Sequence, residues 1–243
     1  MIARRTFFGV ALAFGAVLLA AGCSLIEPSE TLRYRLTVEV DTPQGVKSGY
    51  SVWEYTVTDI KVGFRSLETD YRGEAVAVDL PGGRTLFALL SSGDGFPEYP
   101  QAVIVERLHA TPEFKADWER AFLTVFPDWR NNRESWIVPP VLPPIAQSDP
   151  PRSGYPMLVT FTDIADPASV KLVDPADLAA SFGPGVKLKR ITVEITDDPV
   201  TNGIGKRLGW LGLKGREGLD DTLGVTSRPT LSQKLGFSDF ARR

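Results

Sequence analysis

Between Leu32 and Val40 apolar and polar residues alternate without a break, with Leu32, Tyr34, Leu36, Val38 and Val40 on one side and Arg33, Arg35, Thr37 and Glu39 on the other. Successive side chains of an extended chain point to opposite faces, so this period of two commits the segment to a strand with one buried face. Asp41-Thr42-Pro43-Gln44-Gly45 supplies turn chemistry. A second run, Tyr50 to Ile60, sets Trp53, Tyr55 and Val57 on one side and predicts a hairpin. Further strands are expected over Glu74 to Leu80 and Arg84 to Leu90, joined by Pro81-Gly82-Gly83, and over Gln101 to Leu108, Pro156 to Thr162 and Val186 to Ile195. The last shifts phase near Lys189-Arg190. Without a strand-helix-strand rhythm, the expected fold is mainly β: an antiparallel β-sandwich or open barrel with one or two short helices, α+β being the alternative. Arg190-Ile191-Thr192-Val193-Glu194-Ile195 echoes Arg35-Leu36-Thr37-Val38-Glu39-Val40, through either internal duplication or convergence of amphipathic strands.

Residues 97–156 form an insertion of different character, holding eleven of the nineteen prolines and three of the five tryptophans. Proline cannot donate to a ladder and breaks helix interiors, so most of this stretch is expected as loop, extended segment or edge. One helix is predicted in it, capped by Thr111, with Pro112 in its first turn and Phe114, Trp118, Phe122 and Val125 near one face, ending before Pro127. Another short helix is expected to open at Asp174-Pro175-Ala176-Asp177 and close at Gly183. Trp118, Trp129 and Trp136, carried on proline-stiffened loops, suit a platform for a sugar, peptide or partner protein, or else bury the insertion against the sheet.

Candidate chemistry is sparse. One histidine and one cysteine rule out an intrachain disulfide and are too few soft ligands for a zinc or iron-sulfur site, and no metal or cofactor is expected. The glycine clusters lack the Lys-Ser/Thr of a phosphate-binding loop and dinucleotide spacing. His109, just before a helix cap, reads as an edge or packing residue. Asp163, Asp166, Asp174 and Asp177 are the densest acidic set; they read as turn and cap residues, with a catalytic carboxylate pair or a loop calcium site as alternatives.

The first 22 residues differ from the rest. Arg4 and Arg5 precede an uncharged run of 16 residues, Thr6 to Ala21, that ends in small residues, the layout of a secretory signal peptide. The run is shorter than the roughly 20 residues a membrane-spanning helix needs. Leu19-Ala20-Ala21-Gly22-Cys23-Ser24 resembles the lipobox of bacterial lipoproteins. The resemblance implies cleavage before Cys23, lipid on its thiol and an acylated first residue that anchors the protein without spanning the membrane. Ala20 stands where leucine is commoner. Ser24 after the cysteine resembles proteins released to the periplasmic face of an outer membrane. Arg4-Arg5-Thr6-Phe7-Phe8 also resembles a twin-arginine export motif, so export folded or unfolded stays open.

These readings divide the chain into a signal peptide (1–22), a lipidated cysteine and tether (23–31), one β-rich domain (32–213) with the insertion at about 97–156, and a poorly ordered or docking tail (214–243). Ser24 to Glu30 reaches about 23 Å at roughly 3.3 Å per residue, which keeps the domain near the bilayer. Without the leader, 25 basic residues face 30 acidic ones, which gives no footprint for nucleic acid. Tyr34 to Pro43 and Ile191 to Pro199 look like segments of a group of bacterial exported proteins with no activity assigned. The expected function is therefore a membrane-anchored envelope lipoprotein, a non-catalytic module for a protein or cell-wall partner; an envelope hydrolase using paired carboxylates and a structural subunit of an envelope assembly are the alternatives.

Overall fold

The computed structural model describes residues 28–60, 66–94, 98–118, 120–142, 152–211, 219–220 and 229–243; the leader and Cys23 lie outside them. The chain forms β1 (Ser29–Thr42), β2 (Gly45–Ile60), β3 (Ser66–Glu74), β4 (Val76–Leu80), β5 (Arg84–Ser92), α1 (Tyr99–His109), α2 (Pro112–Ala116), α3 (Ala121–Asn132), β6 (Ser135–Ile137), β7 (Val141–Leu142), β8 (Arg152–Ser153), β9 (Pro156–Phe161), β10 (Val170–Leu172), α4 (Leu178–Phe182), β11 (Lys187–Ile195), α5 (Ile204–Arg207), α6 (Leu231–Lys234) and β12 (Ala241–Arg242). One sheet has the order β12-β3-β2-β1-β11-β6 and a second the order β10-β9-β5-β4, with β7 and β8 as a small ribbon. The described pairings are antiparallel and neither sheet closes, so the fold is a mainly β sandwich.

The alternation in β1 sets the layers. Leu32, Tyr34, Leu36, Val38 and Val40 are fully buried on one face of the six-stranded sheet. Near the β1–β2 turn that face meets β4, where a Cβ on Gly49 would stand 2.0 Å from the Ala77 carbonyl oxygen, so only glycine lets the two backbones touch. Towards the start of β1 it meets α3, whose Arg130 reaches Glu30 at 2.7 Å. The four-stranded sheet is covered on both sides. Leu86, Ala88 and Leu90 enter the main core, whereas Phe87 and Leu89 enter a second cluster with Val159, Trp210 and Phe240. Burial on both faces explains why β5 reads as a continuous apolar run rather than an alternation.

The predicted hairpins form, with Gly82 (φ 82°) and Gly83 (φ 75°) supplying the left-handed turn between β4 and β5. The phase shift in β11 is a bulge: Glu39 pairs with Arg190 and Val40 with Leu188, which leaves Lys189 as the extra residue.

The insertion departs from expectation. Gln101 to Leu108 is not a strand but most of α1, whose buried Tyr99, Val103, Ile104 and Leu108 recur at helical spacing, with Pro100 tolerated in the first turn. The helix predicted from Thr111 is interrupted after Ala116 and resumes at Ala121. It then runs through Pro127 to Asn132, because burial of Phe122, Val125, Phe126 and Trp129 outweighs one missing backbone hydrogen bond. Arg133 ends it in the left-handed region at φ 51°. Asp177, rather than Asp174, caps α4 by accepting from Ala180 N at 3.1 Å, and Asp174 holds the preceding turn.

Residues 229–243 of the expected tail dock on the chain's own domain. Phe240 is fully buried, its carbonyl accepts from Ala75 N at 2.8 Å, and β12 extends the sheet beyond β3. Leu235, Phe237 and Phe240 are too few and too irregularly spaced to announce this as a strand or helix stripe.

Candidate functional site

Two of the three insertion tryptophans come together. Trp129 of α3 is buried, Trp136 of β6 is half-buried, and their rings lie 5.7 Å apart between centroids. Trp118, between α2 and α3, stands apart with 58% exposure, outside the ring contacts found among the described residues. Cys23 lies outside the described residues.

Trp136 also lines a groove of about 200 Å³ between α1 and the chain from β6 to β7, with Val103, Glu106 and Arg107 on one wall and Val138 and Leu142 on the other. Ile137, which lines it, is 62% exposed, and Val141 of β7, next in sequence to the lining residue Leu142, is 56% exposed. Exposed apolar side chains thus border a concave lining in which Glu106 and Arg107 stand among apolar residues. The polar groups are few and fixed. Arg107 bonds Glu134 at 2.6 Å and lies over the Trp136 ring at 5.8 Å, and its Nε is buried without a partner. Burial pushes the Glu106 carboxyl above its ordinary value, with Arg152 acting in the opposite direction. Burial, then Arg152, holds His109 below its ordinary value, and its ring packs on Phe114 at 4.1 Å.

The backbone beside the groove is open. β6 ends the six-stranded sheet. Glu134 accepts from Ile195 N and Val138 donates to Ile191 O, so in the alternating antiparallel pattern the amides and carbonyls of Ser135 and Ile137 point away from β11.

The acidic set has a different use. Asp163, Asp166, Asp174 and Asp177 are exposed and each accepts from a backbone amide two or three residues on, at 2.8 to 3.1 Å, as turn and cap residues do. Glu106 and Arg107 escaped the sequence reading because α1 was read as a strand; the helical spacing of Tyr99, Val103, Ile104 and Leu108 carries the signal that places them. Among the described residues no group of three or more metal-binding side chains occurs, and no helix is long and apolar enough to cross a membrane.

No family model, curated protein or solved structure matches the chain.

Proposed function

We propose that this is a lipid-anchored envelope protein whose β-sandwich is a non-catalytic binding module. The observation that carries the reading is Leu19-Ala20-Ala21-Gly22-Cys23 at the end of an uncharged 16-residue run. Two or more acyl chains on Cys23 give stable anchoring, at roughly 0.8 kcal/mol per buried methylene. Ser29, where β1 begins, is six residues from Cys23, so the tether spans at most about 20 Å and keeps the sandwich at the bilayer surface. In a cell with two membranes, Ser24 favours the periplasmic face of the outer one.

The occupant we assign to the groove is an extended segment of another envelope protein. It would pair with the open edge of β6 and place an apolar side chain over Trp136, Val138 and Leu142, a mode in which main-chain bonds give affinity and the pocket gives selectivity. The engagement of all four clustered aspartates in local turns favours binding over carboxylate-pair hydrolysis.

The test is Cys23→Ser followed by membrane fractionation. The anchored reading predicts loss from the membrane fraction; retention of the variant there would overturn it.

A further inference from the structure

Helical spacing gives α1 two faces. Tyr99, Val103, Ile104 and Leu108 pack inward, whereas Val103, Glu106, Arg107 and Ala110, three and four residues apart, line the groove beside β6. The opposite wall, Trp136 to Pro139 with Leu142, is apolar.

The two charged side chains of this lining are not equivalent. Arg107 is committed: it bonds Glu134 at 2.6 Å and lies over the Trp136 ring, so its charge is already balanced. Glu106 is half-buried and, among the described residues, has neither an ion pair nor a side-chain hydrogen bond. Arg152, across from Leu142 in the β7–β8 ribbon, is the cation that acts on its carboxyl, yet stays beyond ion-pair distance. Burial pushes that carboxyl above its ordinary value. The groove thus takes water from Glu106 without supplying a partner, and a cation delivered from outside would restore the lost interactions.

We infer that the segment docking on β6 carries a lysine or arginine that pairs with Glu106, two residues from an apolar side chain seated on Trp136, Val138 and Leu142. The inference rests on the groove reading above and adds to it the charge of the partner. Side chains of an extended strand alternate between faces, so residues two apart enter the groove together. An acidic segment would meet Glu106 as a like charge, while Arg107, balanced by Glu134, offers it little in return.

The full chain is titrated calorimetrically in neutral buffer with end-capped peptides Thr-Thr-Leu-Thr-X-Thr-Thr, X being Lys, Gln or Glu, and with the positions of Leu and X exchanged. In one of the two orders the lysine peptide should bind about fivefold or more tightly than the glutamine peptide, with the glutamate peptide weakest. Glu106→Gln should erase the difference between lysine and glutamine, and Glu106→Lys should make the glutamate peptide the tightest. Ile137→Pro removes an edge amide that makes no bond to β11, and should abolish binding of every peptide, as should N-methylation of the peptide's threonine amides. Peptides that bind alike whatever X is, yet are lost on N-methylation, leave the groove reading standing and overturn the inferred cation. So does a lysine preference that survives Glu106→Gln. Saturation by no peptide, or binding that survives both Ile137→Pro and N-methylation, overturns the groove reading and this inference with it.

Discussion

Arg35 of β1 stands directly across from Glu194 of β11 and bonds it at 3.0 Å, while four residues on Glu39 faces Arg190 and accepts from its guanidinium. Thr37 and Thr192 meet midway. Two copies of Arg-x-Thr-x-Glu laid antiparallel put an arginine opposite a glutamate at both ends, so the repeated pattern has a physical reason in the pairing itself. Arg35 also bonds Asp198 and lies 5.2 Å from the Tyr50 ring centroid.

Charge reversal tests this register. Glu194→Arg should cost about 0.5–1 kcal/mol by placing like charges opposite each other, and the exchange Arg35→Glu with Glu194→Arg should recover part of it. Arg35→Glu alone should cost more, because Asp198 and Tyr50 lose their partner too. Urea midpoints of the three variants measure the order. The Arg190 bond holds the Glu39 carboxyl below its ordinary value of 4.5, so its contribution is complete above that pH and fades as pH falls towards the folded value.

Trp53 is the hub of the main core. Its ring meets Tyr34 and Tyr99 edge-on at 5.8 and 6.0 Å, and its Nε1 donates to Glu74 O at 2.7 Å. A Cβ on Gly73 would stand 2.4 Å from that ring. Gly73→Ala should therefore cost about 1–3 kcal/mol, and Trp53→Phe about as much through the unpaired carbonyl and lost volume. Chemical denaturation compares both with the parent.

Helix α1 carries two opposed pH dependences, from Glu106 in the groove and from His109 at the helix end. Burial raises Glu106 above its ordinary 4.5, so the folded chain holds the proton longer than the unfolded one, and stability falls as pH rises from 4.5 through the folded value. His109 is lowered from 6.5, so protonation favours the unfolded chain, and stability falls as pH drops from 6.5 through the folded value. Glu106→Gln should flatten the first slope and His109→Gln the second, in urea midpoints measured from pH 4 to 8.

Ile137 offers a way to block the groove without harming the fold, since its side chain is 62% exposed. Ile137→Glu should leave stability within about 0.5 kcal/mol. A photo-crosslinker at Val141 should give a discrete adduct in native membranes that this substitution removes, and one at Trp118 should give none.

Much of the sandwich was legible because water on one side enforces alternation: Leu32 to Val40 and Tyr50 to Ile60 reveal both the strands and the face they bury. The bulge at Lys189 was visible as a break in that phase. Where both faces are covered, or a segment is short, the pattern loses its meaning. Val103-Ile104-Val105 is apolar enough for a strand, yet its neighbours Tyr99 and Leu108 complete a helical stripe that decides the matter. Pro127 misled because burial of the surrounding aromatics outweighs a single lost bond. Trp129 and Trp136 could be named from sequence, but the groove beside Trp136 needs α1, which only the tertiary arrangement supplies. The β3–β12 pairing joins Gly73 to Arg242 across the length of the chain, and no local pattern encodes it.

The anchored binding module is tested most directly by intact-mass spectrometry of the protein extracted from its native membrane. The expected species begins at Cys23 and carries the added mass of a diacylglyceryl group and acyl chain, with all 22 preceding residues gone. A chain that keeps its leader, or that begins elsewhere with Cys23 unmodified, would contradict the lipid anchor and the placement built on it.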